Sequence, residues 1–236
     1  KAIVKAGIKK VFISSLDPNP NIKGKGIDFL KKQKIKVFHS LKSTDRFKII
    51  NKFFYTRKTL NRPFITLKIA ISKNGFSKSP THKNITSHQT QYFMHNLRLS
   101  HDAIGVGMNT VLDDKPKLTC RLQGVSKNIA KLIFSNKEIK FKNYKLIIVD
   151  YKKTVTENFS LFKKLKTQSI LIEGGLNTFK YFLNCNLFDE VIVCQSNMTI
   201  KNASKKYFLS MKSITNNLIL KSSLKYGEDM IYKFTN

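Results

Sequence analysis

Short runs of β-branched and aromatic residues, bounded by Gly, Pro, Asn or Asp, recur along this chain and alternate with stretches of helical spacing. Runs of this length are strands rather than helices. They fall at "PFITLKIAIS", Ala103 to Val106, Leu132 to Phe134, Leu146 to Val149, Ile170 to Glu173, Val191 to Cys194, Leu218 to Leu224 and Met230 to Phe234. Helices are expected within "ITSHQTQYFMHNLRLS", at about Glu157 to Lys166 and at Asn177 to Asn184. Thr86 and Gln89 have the spacing of a capping box, and Phe93 and Leu97 supply an apolar stripe. A chain that alternates in this way folds as an α/β protein with a mixed sheet flanked by helices.

The first sixty residues carry a smaller version of the same pattern. A helix end at Ala2 to Ala6 leads to a strand at Val11 to Ile13, a Pro-rich turn "LDPNPNIKGKGI", a helix around Ile27 to Lys34 and a strand at Ile35 to Phe38. Thr44 is placed to cap a helix carrying Phe47, Ile50, Phe53 and Phe54. The polar stretch "TRKTLNRP" then marks a boundary near residues 55–62. Gly24-Lys25-Gly26 lacks the glycine spacing and the following Ser or Thr of a Walker loop. Half of an α/β unit would leave an apolar sheet face and a strand edge open.

Charge narrows the possible partners. The formal net charge is +30, but the lysines are spread over the whole length and arginine is confined to Arg46, Arg57, Arg62, Arg98 and Arg121. Specific phosphate and base recognition favours the planar arginine fork, so an attraction to anions in general is expected and a specific nucleic-acid partner is not. No apolar run reaches the roughly 18 residues of a membrane helix, and "KAIVKAGIKK" lacks the apolar centre of a signal peptide. A cytoplasmic protein is expected. Cys120, Cys185 and Cys194 are too few and too irregular for a disulfide framework or a Cys-x-x-Cys metal site. His39, His82, His88, His95 and His101 show no metal spacing and read as loop or helix-surface residues, so no metal is expected.

Two segments carry possible chemistry. In "IEGGLNTF" a buried-type strand ends in Glu173, two glycines turn the backbone, and a helix begins whose N–H groups are free to face a phosphate. A plain glycine-rich turn fits the same letters, but the carboxylate at the strand end favours a site, because ligands gather there in open α/β sheets. In "GVGMNTVLDDKPKLTCR" the third glycine of a dinucleotide fingerprint is missing and no helix is evident. Thr110 and Asp114 suit hydrogen bonds to a ribose or amide, and Arg121 suits a forked phosphate contact; Asp-Lys-Pro is equally an ordinary turn.

Taken in order, "KAIVKAGIKKVFIS", "DPNPNIKGKGI", "NRPFITLKIAIS", "ITS", "NTVLDDKPKLTCR", "IEGG", "LFDEVIV" and "YGED" resemble the bifunctional riboflavin-biosynthesis deaminase/reductase family along nearly the whole chain. The resemblance implies a dihydrofolate-reductase-like reductase domain at 59–236, preceded at 1–58 by the tail of a cytidine-deaminase-like α/β domain. The family's zinc-binding His-Ala-Glu and Pro-Cys segments lie upstream of that tail. An N-terminally truncated form without deaminase activity is therefore expected, from a reading frame that extends upstream.

The activity implied is NADPH-dependent reduction of the ribosyl group of 5-amino-6-(5-phosphoribosylamino)uracil by a homodimer. The resemblance places Lys68 beside the reacting sugar and Glu173 as a substrate-binding carboxylate. It places His82, Arg98, Leu118 and Arg121 at further substrate positions, and Ala70, Asn84, Thr110, Asp114, Ser135, Gly175, Leu176, Asn177 and Thr178 at cofactor positions. Five positions depart from the family pattern. Lys73 and Asn74 stand for Leu and Asp in Ser72-Lys73-Asn74-Gly75, His82 for Ser, Asn84 for Trp, and Phe134 for Asp. A related reductase of another substrate and a non-catalytic basic protein remain as alternatives.

Overall fold

The computed structural model describes residues 1–39, 44–120, 122, 124–125, 127–138, 144–148 and 160–236. Two compact units are present, Lys1–Pro63 and Phe64–Asn236.

In the first unit, β1 (Lys10–Ile13) and β2 (Lys36–His39) pair in parallel, joined through α2 (Lys25–Lys32). The "LDPNP" stretch is a turn in which the Asp17 carboxylate accepts from the Asn19 N–H at 2.8 Å. Gly24 sits at the N-cap of α2 with φ of 77°, a left-handed conformation that suits glycine. Phe12 and Phe38 stack at 4.8 Å, and Phe12 is 76% exposed, so one face of this small sheet is open and apolar. The helix expected after Thr44 is interrupted. α3 (Thr44–Ile50) and α4 (Lys52–Leu60) break at Asn51, whose side-chain amide donates to the Phe47 carbonyl and competes with the helix ladder. Among the described residues of this unit, the remaining helix is α1 (Ala2–Lys5).

The second unit is built on an eight-stranded sheet. Its strands are β3 (Phe64–Ile71), β4 (Ala103–Gly107), β5 (Ala130–Ser135), β6 (Lys145–Ile148), β7 (Ser169–Ile172), β8 (Glu190–Gln195), β9 (Ile219–Tyr226) and β10 (Asp229–Thr235). They lie in the order β6-β5-β4-β7-β3-β8-β10-β9. β3 to β8 are parallel, and the β10–β9 hairpin is added antiparallel at one edge. Central parallel strands need cover on both faces. α7 (Leu176–Asn184) covers one face, burying Phe179 and Phe182 against Phe134 and Phe162. α5 (His88–Ser100) covers the other, placing Met94, Phe93 and Leu97 on Ile192, Cys194 and Ala70. α6 (Met108–Asp114) and α8 (Met211–Thr215) complete the named helices.

Several local expectations shift. The N-cap of α5 is Ser87 rather than Thr86. Its hydroxyl accepts from the Thr90 N–H, and the buried Asp229 carboxylate takes the Ser87 N–H at 2.7 Å, fixing the start one residue later. A helix does follow Gly107: Met108–Asp114 has no capping side chain at its start, which removes the signal a sequence would offer. His101 is buried, not a surface residue. Its Nε2 lies 2.9 Å from Thr66 Oγ1 and its Nδ1 2.8 Å from the Leu97 carbonyl, so both ring nitrogens are satisfied inside the protein. Of the helix expected at about Glu157 to Lys166, residues 160–163 are helical and its start lies outside the described residues, as does Val149.

Candidate active site

Period-two alternation along β3 turns Lys68 and Ala70 to one face of the sheet, and these two are the half-buried residues of an otherwise buried strand. They open onto a cavity of about 610 Å³ at the strand ends. The turn after β7 brings Glu173, Gly174 and Gly175 to its wall, and α7 follows with Leu176, Asn177 and Thr178. From α6 come Thr110 and Asp114, and from the end of β5 comes Ser135.

Glycine makes this convergence possible. A Cβ on Gly107 would lie 2.1 Å from Thr178 Oγ1, one on Gly174 would lie 2.6 Å from Thr178 Cβ, and one on Gly175 would lie 2.7 Å from Thr110 Oγ1. The Gly175 N–H donates to Thr110 Oγ1 at 2.9 Å, tying the turn after β7 to α6. α7 starts without a capping side chain, and its first residues, Leu176, Asn177 and Thr178, line the cavity. The size falls in the range of ordinary ligand pockets, roughly 300–1,000 Å³.

Glu173 is the electrostatic centre. Arg98 Nε donates to Glu173 Oε1 at 2.8 Å and Nη2 to Oε2 at 2.6 Å, a bidentate pair, while Nη1 donates to the Thr119 carbonyl at 3.1 Å. Burial alone would push the carboxyl up. The Arg98 hydrogen bonds and charge, with Lys68 and His95 adding to them, overcome burial and hold it below the usual carboxylate range. Burial likewise opposes the Arg98 charge, but its bonds to Glu173 leave the guanidinium titrating above its ordinary value. Burial pushes the Cys194 thiol up to about 11, and it donates to Met94 Sδ, so this sulfur is no nucleophile at neutral pH.

Lys68, Ala70, Thr110, Asp114, Ser135, Glu173, Gly175, Leu176, Asn177 and Thr178 thus gather around one cavity, with Arg98 joined to it through Glu173. His82 and Asn84 are exposed and do not line it; the His82 ring is engaged with Thr81 Oγ1 at 2.8 Å. Leu118 is buried with Ile104, Val106, Val111 and Ile133, and its φ of 47° bends the connection after α6. Arg121 lies outside the described residues.

Two of the departures from the family pattern fit their surroundings. Asn74 donates to the Ile200 carbonyl at 2.8 Å and accepts from the Ile200 N–H at 3.0 Å, a pair of bonds that an ionised Asp could not make. Phe134 fills the space beside Gly105, where an added Cβ would meet its ring at 2.3 Å. Asn109 and Asp113, within "NTVLDDKPKLTCR", also line the cavity, as do Ser77, Lys78, Asn136, Lys206 and Tyr207, to which no sequence motif points.

The family model for the RibD C-terminal domain matches residues 63–232. The chain belongs to that family. The RibD of Aquifex aeolicus is 28% identical over 265 residues, covering 99% of this chain and 74% of that protein. The RibD of Bacillus amyloliquefaciens is 39% identical over 137 residues, 57% of this chain and 37% of that one. Among solved structures, a Thermotoga maritima diaminohydroxyphosphoribosylaminopyrimidine deaminase/5-amino-6-(5-phosphoribosylamino)uracil reductase aligns over 99% of this chain and 73% of its own. That alignment has a TM-score of 0.81 at 24% identity. The dihydrofolate reductase of Enterococcus faecalis, at a TM-score of 0.50 and 10% identity over 73% of this chain and 95% of its own, shares the fold. The RibD C-terminal unit is thus a mostly parallel, dihydrofolate-reductase-like sheet flanked by helices. Among the described residues, no helix is long and apolar enough to cross a membrane.

Proposed function

We propose that this chain carries out the reductase step of riboflavin biosynthesis, the NADPH-dependent reduction of the ribosyl group of 5-amino-6-(5-phosphoribosylamino)uracil to the ribityl form. Residues 59–236 are then the reductase domain and 1–58 the tail of a deaminase domain. One observation carries the reading. In a chain of this family, Lys68 and the Arg98-held Glu173 open onto a cavity that is also lined by the glycine turn after Glu173 and the uncapped helix start that follows it.

The donor set fits a dinucleotide. Backbone N–H groups at the start of α7 suit a phosphate, and the hydroxyls of Thr110 and Ser135 and the carboxylate of Asp114 suit ribose hydroxyls. Ala70, being small, leaves room for a flat ring against β3. NADPH bound there supplies the hydride that the sugar carbon accepts.

The protein's own part is placement and charge. Glu173 stays ionised, because Arg98 offsets its burial, and so accepts hydrogen bonds from sugar hydroxyls or ring N–H groups. The Lys68 ammonium, on the same face, polarises the sugar nitrogen or oxygen and donates the proton that reduction requires. Arg121, by its place in "KLTCR", supplies the fork for the 5′-phosphate.

The test is direct. Purified protein should consume NADPH only when the deaminated pyrimidine phosphate is added, with formation of the ribityl product. Absence of turnover with that substrate, or equal NADPH loss without it, would refute the assignment.

A further inference from the structure

Lys78 lines the cavity at a position no motif marks. The chain leaving β3 folds back on the 205–209 stretch. The Ser77 N–H donates to the Tyr207 carbonyl at 3.0 Å, the Leu209 N–H to the Gly75 carbonyl at 2.8 Å, and the Phe76 and Phe208 rings meet at 5.5 Å. These contacts hold Lys78 at the rim together with Lys206 and Tyr207. From there Lys78 Nζ reaches Asp114 Oδ1 on α6 at 3.2 Å, passing 5.6 Å from the centre of the Tyr207 ring, and Lys206 Nζ lies 5.0 Å from the same ring.

The pair crosses the cavity, yet it contributes little to the fold. Its side chains are 44% and 52% exposed, and ion pairs that wet exchange partners easily. Asp114 is also the carboxylate that the functional reading gives to the cofactor's ribose. A phosphate drawn into this space is a stronger partner for an ammonium than one wet carboxylate.

We propose that Lys78 is a cofactor-retaining residue whose ammonium exchanges Asp114 for a phosphate oxygen of the bound dinucleotide. This rests on the nicotinamide-dinucleotide reading above. Asp114 is released by the same exchange to accept from a ribose hydroxyl, so one rearrangement serves both residues.

The test is equilibrium binding of NADPH and of NADH to the full chain and to its Lys78→Met and Lys78→Arg variants, at low and high salt. Losing one charge-assisted hydrogen bond to phosphate should raise the Kd of Lys78→Met about tenfold. Its salt dependence should flatten, because a screened attraction has gone. Lys78→Arg should bind as the parent does. Equal losses for both nucleotides place the contact on the pyrophosphate they share, and a loss confined to NADPH places it on the 2′-phosphate; either supports the exchange. Equal or tighter binding by Lys78→Met, with an unchanged melting temperature, would overturn it. A parent protein that binds neither nucleotide would overturn the cofactor reading itself, an outcome distinct from parent and variant binding alike.

Discussion

Replacing Arg98 by Met keeps the apolar stem and removes the guanidinium, leaving the buried Glu173 carboxylate with only Lys68 and His95 near it. The Arg98 and Glu173 side chains are 17% and 9% exposed and meet at 2.6 Å. Breaking a buried pair by removing one partner costs about 3–5 kcal/mol, and the partial exposure of Arg98 puts this case near 3. For a domain of this size that is a drop in Tm of roughly 6–12 °C at neutral pH.

The sign with pH is fixed by Glu173. In the parent its pKa is depressed in the folded state, so its stabilisation is present above the unfolded carboxylate value and is lost as pH falls through the lower folded value. In Arg98→Met, burial is opposed by fewer charges and the carboxyl moves up, so the penalty is greatest at neutral pH and disappears on protonation. Thermal unfolding of both proteins from neutral to acid pH should show the gap in Tm narrowing steadily. A gap that stays constant across that range, or no loss at neutral pH, would refute the view that Arg98 stabilises through the charge on Glu173.

Lys68→Ala should lower kcat by about 10²–10⁴-fold while leaving NADPH affinity nearly intact, as substrate kinetics beside a nucleotide titration would reveal. Arg121→Lys should chiefly raise KM, since charge survives and the fork does not; an unchanged KM would take Arg121 out of the substrate site. Gly107→Ala should destabilise by about 1–3 kcal/mol, because the new methyl falls 2.1 Å from Thr178 Oγ1. Thr178→Ala should rescue Gly107→Ala but not Gly174→Ala, whose obstacle at 2.6 Å is Thr178 Cβ itself, and denaturant unfolding of the two double variants separates them.

The strands were legible because parallel strands buried on both faces are written as uninterrupted apolar runs, and β7 (SILI) and β8 (EVIVCQ) are such runs. Lys68 as a site residue came from the family resemblance, and its place as the one charge in "FITLKIAI" is in keeping with it. His101 was not legible, because its Nε2 meets Thr66, on β3 and far along the chain, and its Nδ1 meets Ser100 Oγ and the Leu97 carbonyl, which carries no side-chain signature. The start of α5 was misplaced by one residue because Asp229, far along the chain, decides which N–H is taken. Long-range partners of this kind leave no spacing to read.

The site shows the same limit from the other side. Its glycines are visible in the sequence, but what they make room for is not. Gly107 and Gly174 both yield space to Thr178, and Gly175 yields it to Thr110. These contacts join the turn that carries Glu173 to the two helices that line the cavity, so the distance between the carboxylate and those helices is set by missing side chains rather than by present ones. The dinucleotide pattern fails here in its third glycine, yet the physical requirement behind that pattern, close approach of helix to strand, is met by Gly174 and Gly175 from a different segment. A fingerprint looks for the requirement within one stretch of sequence, and in this fold two stretches share it.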